Sequence, residues 1–230
     1  MYFLYLLFFS FLPTSCFKVL IVLPCYGGHF TSMIEISRFL QHHHEVSLLF
    51  TSSCWTTIDL KMFQTTKAIY KYDWVIPKFD IAPNINLAYR APLLFMELFQ
   101  NLSYNMGQFL DDREDNYELV ITDWLFEGVL IETEVRSIPT IVNMIGDFGP
   151  IPDYALTIKS MLYRRYSVVF LFALPLWPYM YWRDVQRANR KLPPIFGNSR
   201  THLMEYGSKF PLILHGSPAL FPSFPDRGPL

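Results

Sequence analysis

Two residues carry the clearest chemical signal in this sequence of 230 residues. His29 stands in Cys25-Tyr26-Gly27-Gly28-His29-Phe30, a tight turn after an apolar run, and Asp123 closes Val120-Ile121-Thr122-Asp123-Trp124. A neutral imidazole can take the proton of a hydroxyl. A carboxylate on its other nitrogen fixes the tautomer and stabilises the imidazolium that forms. The positive end of a helix starting just after His29 disfavours a charged ring, as a base requires. Gly27 and Gly28 lack side chains, so a substrate can approach the backbone closely. Each residue also has an ordinary reading. A strand-end aspartate is often a helix cap, a strand-end histidine is often a polar turn residue, and spacing alone does not show that they meet.

The elements that must position this pair follow from hydrophobic pattern. Lys18–Pro24 (KVLIVLP) is apolar and rich in β-branched residues, as a strand buried on both faces of a parallel sheet should be. Ser32 with Glu35 gives a capping-box spacing, and Met33, Ile36 and Leu40 recur at helical spacing, widened by Ile34 and Phe39. Glu45–Ser52 reads as a second buried strand, completing a right-handed βαβ unit. Residues 55–90 are mixed, with one helix and one strand (Phe79–Ala82) expected. A helix is expected over residues 92–112, strands at Tyr117–Thr122 and Thr140–Met144, and a helix between them through Glu134. The alternation predicts an α/β fold with a Rossmann-like, doubly wound parallel sheet. Ligands of such sheets bind at the carboxyl ends of the strands, where His29 and Asp123 both fall.

Composition narrows the function classes. With 51% hydrophobic and 17% aromatic residues the chain is not a disordered one. Three cysteines exclude a disulfide scaffold and a four-cysteine zinc site. A net charge of -1 argues against a nucleic-acid partner. Gly27-Gly28 is not a G-x-G-x-x-G fingerprint, no phosphate-binding P-loop is present, and no G-x-S-x-G elbow exists. His42-His43-His44 points three side chains in different directions, so it reads as a solvated helix end and no metal is expected.

The average charge hides an asymmetry. Residues 1–154 carry 9 basic and 17 acidic side chains, whereas residues 155–230 carry 10 and 3. The basic part surrounds an uncharged apolar run, residues 166–182 (YSVVFLFALPLWPYMYW), interrupted by Pro175 and Pro178 and flanked by Arg164, Arg165, Arg183, Arg187, Arg190 and Lys191. One reading lays this segment at a membrane interface with its cations near headgroups. The other makes it a pair of buried helices lining an apolar cleft.

The two ends read as non-core. Residues 2–12 form an apolar stretch of signal-peptide length, broken by Pro13, so residues 1–16 are expected to be a cleaved leader; a buried strand or retained anchor is the alternative. A secretory chain would make Asn101-Leu102-Ser103 a usable N-glycosylation acceptor and would permit a Cys25–Cys54 bridge, two free thiols being the other reading. Residues 211–230 include five prolines and are expected to be an extended linker, leaving 17–210 as the folded domain.

Taken in order, these features resemble the N-terminal half of a UDP-glycosyltransferase, of the large family that includes the UDP-glucuronosyltransferases. The resemblance rests on Lys18-Val19-Leu20-Ile21-Val22 leading to Gly28-His29, and on His44-Glu45-Val46 entering the second strand. It rests further on Tyr117-Glu118-Leu119-Val120-Ile121-Thr122-Asp123, on Ser137-Ile138-Pro139-Thr140-Ile141, and on Ser217-Pro218-Ala219-Leu220 with Pro225. It implies the N-terminal, acceptor-binding domain of a GT-B fold, with His29 as general base, Asp123 as its partner, and Gly27, Gly28 and Trp124 near the acceptor. It also implies inverting transfer from a UDP-sugar, a co-substrate and not a cofactor, to a hydroxyl of a lipophilic acceptor, and residence in the endoplasmic reticulum. The family's nucleotide-sugar signature lies in its C-terminal domain, and residues 18–230 contain none. The resemblance therefore implies donor binding in a further domain, little transfer by these residues alone, and a face open to homo- or hetero-dimer pairing. The competing expectation is a non-enzymatic isoform that binds lipophilic ligands or modulates a full-length relative.

Overall fold

The computed structural model describes residues 16–24, 27–51, 59–63, 65–74, 85–113, 116–144, 177–194 and 210–214. Their elements run β1 (Lys18–Leu23), α1 (Gly27–Leu40), β2 (Glu45–Phe50), a short 3-10 turn (Leu60–Phe63) and β3 (Ala68–Lys71). There follow α2 (Ile85–Asp111), β4 (Leu119–Asp123), α3 (Glu127–Val135), β5 (Thr140–Met144), α4 (Trp177–Asn189) and β6 (Leu212–Leu214). The strands form one sheet in the order β3-β2-β1-β4-β5-β6, and every pair is parallel. That is the order of a Rossmann sheet, with its topological switch between β1 and β4.

Strand period explains the two cores. On β1, Val19, Ile21 and Leu23 point to one face and pack with Met33 and Ile34 of α1 and with Val46, Leu48 and Phe50 of β2. Leu20 and Val22 point to the other face and meet Leu98, Leu102 and Met106 of α2 and Val129 of α3. A strand covered on both faces has no polar side, which is why β1 and β2 read as continuous apolar runs. Helices α2 and α3 cross closely. A Cβ on Gly128 would lie 2.4 Å from the Phe99 carbonyl oxygen and 2.6 Å from the Ser103 nitrogen, so only glycine fits. After α3, Ser137 takes a positive φ of 55° and the Ile138 amide bonds the Thr133 carbonyl at 2.9 Å, turning the chain into β5.

Several expected boundaries shift. Helix α1 begins at Gly27, so Ser32 and Glu35 lie inside it and are not its cap. The S-x-x-E spacing also suits i, i+3 neighbours within a helix, and Glu35 there pairs with Arg38 at 3.0 Å. Helix α2 starts at Ile85, seven residues before the expected position, and contains Pro92. Strand β3 falls at Ala68–Lys71, which the sequence reading passed over; the expected strand at Phe79–Ala82 lies outside the described residues. Strand β6 falls within the stretch expected as linker from residue 211. Pro211 serves the sheet with its carbonyl, which accepts from the Val142 amide at 2.9 Å, and so its missing N–H costs the ladder nothing.

Three of the ten basic residues of 155–230, on α4 or just after it, pair with acidic residues of α3. Tyr179, Arg183 and Arg187 recur at i+4 on α4 and are all buried. Arg183 Nη1 lies 3.1 Å from Glu127 Oε1, and the Tyr179 hydroxyl donates to the other oxygen of Glu127. Arg187 Nη2 donates to Glu134 Oε2 at 2.6 Å, and Arg190 pairs with the buried Glu132. A basic helix from the C-terminal part thus docks on acidic α3. The expectation that Arg183 and Arg187 face lipid headgroups is corrected: both guanidiniums are interior, 0% and 1% exposed. Residues 166–176 of the apolar run lie outside the described residues. Among the described residues no helix is long and apolar enough to cross a membrane.

Candidate active site

The switch between β1 and β4 brings the two chemical residues together. His29 is the third residue of α1, in its first turn and not ahead of it as the sequence reading had it, and Asp123 is the last residue of β4. Nδ1 of His29 lies 2.8 Å from Oδ2 of Asp123 across 94 residues of sequence. Asp123 is fully buried, and the His29 side chain is 21% exposed. The other carboxylate oxygen of Asp123, Oδ1, accepts the Leu125 amide at 3.1 Å. An ionised carboxylate only accepts hydrogen bonds, so this pairing assigns the ring proton to Nδ1 and leaves the Nε2 lone pair for another partner.

Two further residues close this site into a ring. Asn143 is the fourth residue of β5 and is registered against Asp123. Its Nδ2 lies 3.3 Å from the same Oδ2 that His29 uses, and 3.2 Å from Oγ of Ser32. Ser32 Oγ in turn donates to the backbone carbonyl of His29 at 3.0 Å. Asn143 is fully buried and Ser32 is half-buried. The sequence reading missed both. A signal existed for Asn143, because an amide inside a strand buried on both faces needs a polar partner. Ser32 carried no such signal, having been assigned to the cap.

The remaining expected residues distribute as follows. Gly27 and Gly28 open α1, where the first amides of a helix have no intrahelical partner. Trp124 follows Asp123 and sits beside His29, ring centroids 6.4 Å apart and tilted by 44°. Asn101 lies on α2, part-exposed, its carbonyl accepting from Asn105 at 2.7 Å; Ser103 of the same sequon bonds to Glu132. His42, His43 and His44 occupy the turn after α1, and the described residues contain no cluster of three metal-ligating side chains. Cys25 and Cys54 lie outside the described residues. An apolar groove of about 860 Å³ runs along α1 from Thr31 to Leu40 against Leu119, Ile121, Ile141 and Ile213; His29 is not among its lining residues.

Sheet order and the helices between strands define a Rossmann-like α/β domain, a fold shared with solved glycosyltransferase structures. The chain is similar to the structure of the glycotransferase of kitacinnamycin, with a TM-score of 0.50 and 14% identity, over 78% of this chain and 42% of that one. It also aligns with UGT2 of Phytolacca americana complexed with UDP-2-fluoro-glucose and pterostilbene, at TM-score 0.41, 14% identity, and 58% and 32% coverage. For a UGT transferase from Siraitia grosvenorii in complex with UDP, the figures are 0.38, 17%, 55% and 28%. The chain spans less than half the length of each of these proteins. At such identities the likeness is one of fold. No protein-family model and no curated protein matches the sequence.

Proposed function

We propose that residues 18–230 form the acceptor-binding half of a UDP-glycosyltransferase, with His29 as the general base. The observation that carries the reading is the His29–Asp123 hydrogen bond of 2.8 Å at the switch point. With Nδ1–H held by the carboxylate, Nε2 takes the proton of an acceptor hydroxyl. The oxygen attacks the anomeric carbon of the UDP-sugar, the bond from that carbon to the diphosphate breaks, and UDP leaves with inversion. The imidazolium is stabilised by Asp123 until it loses its proton. Gly27 and Gly28 let the acceptor approach the backbone, and Trp124 supplies an aromatic wall beside the reacting hydroxyl. A lipophilic hydroxylated molecule suits that wall.

The reading assigns the nucleotide sugar, glucuronosyl or hexosyl, to a donor-binding domain outside these residues. Catalysis needs both reactants at one point. It places residues 1–16 as a leader and the chain in the lumen of the endoplasmic reticulum. The test is transfer to 4-methylumbelliferone from UDP-glucose or UDP-glucuronate, with the 230-residue chain assayed alone and joined to a donor-binding domain. The joined protein is expected to transfer and the chain alone is not. Transfer that survives His29→Ala undiminished would sink the reading.

A further inference from the structure

The hydrogen-bonded ring at the end of β5 has no counterpart in the two-residue account of the site. Four residues from three elements take part: His29 and Ser32 from α1, Asp123 from β4 and Asn143 from β5. The donors and acceptors match in one sense only. The two hydrogens of the Asn143 amide nitrogen go to Asp123 Oδ2 and Ser32 Oγ, at 3.3 and 3.2 Å. The Ser32 hydroxyl hydrogen goes to the His29 carbonyl at 3.0 Å, and the ring hydrogen of His29 goes to Asp123 Oδ2 at 2.8 Å. The Leu125 amide holds the remaining carboxylate oxygen at 3.1 Å. If Asn143 were flipped, its carbonyl oxygen would face the Asp123 carboxylate, two acceptors together with no proton between them.

From this connectivity we infer that Asn143 and Ser32 are positioning residues for His29. Asn143 fixes the carboxylate that fixes the ring, and Ser32 ties the same amide to the backbone of the residue that carries the ring. The imidazole is therefore held from its side chain and from its main chain by one buried amide. The strand register makes this the natural place for such a group, since Asp123 and Asn143 are partners in the β4–β5 ladder and face the same side. Neither residue touches the reacting atoms in this account. Their effect is on which nitrogen of His29 keeps its proton and on how rigidly the ring is aimed, as supporting shells do elsewhere.

The inference rests on His29 being the base, but its test does not. Histidine ring nitrogens of the ¹⁵N-labelled chain report tautomer directly in long-range ¹H–¹⁵N correlation spectra, with the His29 signals identified by their loss in His29→Gln. The wild-type chain is expected to show His29 as the Nδ1–H tautomer with a slowly exchanging ring proton. In Asn143→Ala the second tautomer should appear, and the ring proton should exchange faster by about tenfold, the scale of one hydrogen bond. Ser32→Ala should move both readouts the same way, while Ser32→Thr, which keeps the hydroxyl, should restore them. Backbone spectra of β1 and β2 establish that each variant is folded; if Asn143→Ala is not, Asn143→Ser and the Ser32 pair carry the test. Wild-type tautomer and exchange in folded Asn143→Ala or Asn143→Ser, and in Ser32→Ala, would overturn the inference. A tautomer controlled by Asn143 together with transfer indifferent to His29 would uphold the positioning and reject the base.

Discussion

Asp123 Oδ2 lies 2.8 Å from His29 Nδ1, although 94 residues of sequence separate them. The contact exists because the chain reverses its direction of travel across the sheet between β3 and β4, which seats β4 beside β1. Asp123 ends one of these neighbouring strands, and His29 lies in the first turn of the helix that follows the other. The carboxylate is wholly buried and the imidazole partly open. That gradient suits a ring that works on an outside partner while its own partner stays out of water.

The pair can be broken without changing its size. Asp123→Asn replaces an acceptor-only group by one that also presents a donor, so the ring loses its reason to keep the proton on Nδ1. In the assembly that carries transfer, Asp123→Asn and His29→Ala should each lower the turnover rate by about 10²–10⁴-fold, the usual contribution of a positioned acid–base group. The KM for the UDP-sugar should change little. Steady-state kinetics with 4-methylumbelliferone checks both.

Docking of α4 on α3 should depend on paired charges. Arg183 is fully buried against Glu127 at 3.1 Å. Arg183→Ala leaves Glu127 short of a partner inside the protein and should cost about 3–5 kcal/mol of stability. Arg183→Met combined with Glu127→Gln should cost less than either change alone. Urea denaturation decides it, with Arg183→Ala measured by itself and Arg183→Met, Glu127→Gln and their combination compared as a double-mutant cycle.

At the α2–α3 crossing, backbone atoms leave no room for a methyl group on residue 128. The nearest is the Phe99 carbonyl oxygen, 2.4 Å from where the Cβ would be. Gly128→Ala should therefore destabilise by about 1–3 kcal/mol despite its better helix propensity. A fall in Tm would be expected. An unchanged or higher Tm would mean that the helices can move apart freely.

Much of this arrangement is legible in the sequence itself. Buried parallel strands announce themselves as apolar runs, and β5 was bounded correctly at Thr140–Met144. The types and strand-end positions of His29 and Asp123 were also visible. What stayed hidden is non-local. Ser32 looked like a cap because S-x-x-E spacing serves both a helix start and a helix interior, and only the register of β4 against β5 shows what it bonds. Strand β3 escaped notice because AIYK is a short edge strand whose residues are half-buried or exposed. The sequence leaves the α4 arginines open between a membrane interface and a buried cleft because their partners, Glu127 and Glu134, sit more than fifty positions away.

The central claim, that His29 receives the hydroxyl of an acceptor, is tested most directly by comparing two probes that differ only in that hydroxyl. 4-Methylumbelliferone carries it and 4-methylcoumarin does not. Their dissociation constants for the 230-residue chain can be measured by fluorescence for wild type and His29→Ala. The account predicts that wild type prefers the hydroxylated probe by about tenfold, as one good hydrogen bond allows, and that His29→Ala abolishes the preference. An equal preference in both proteins would contradict it.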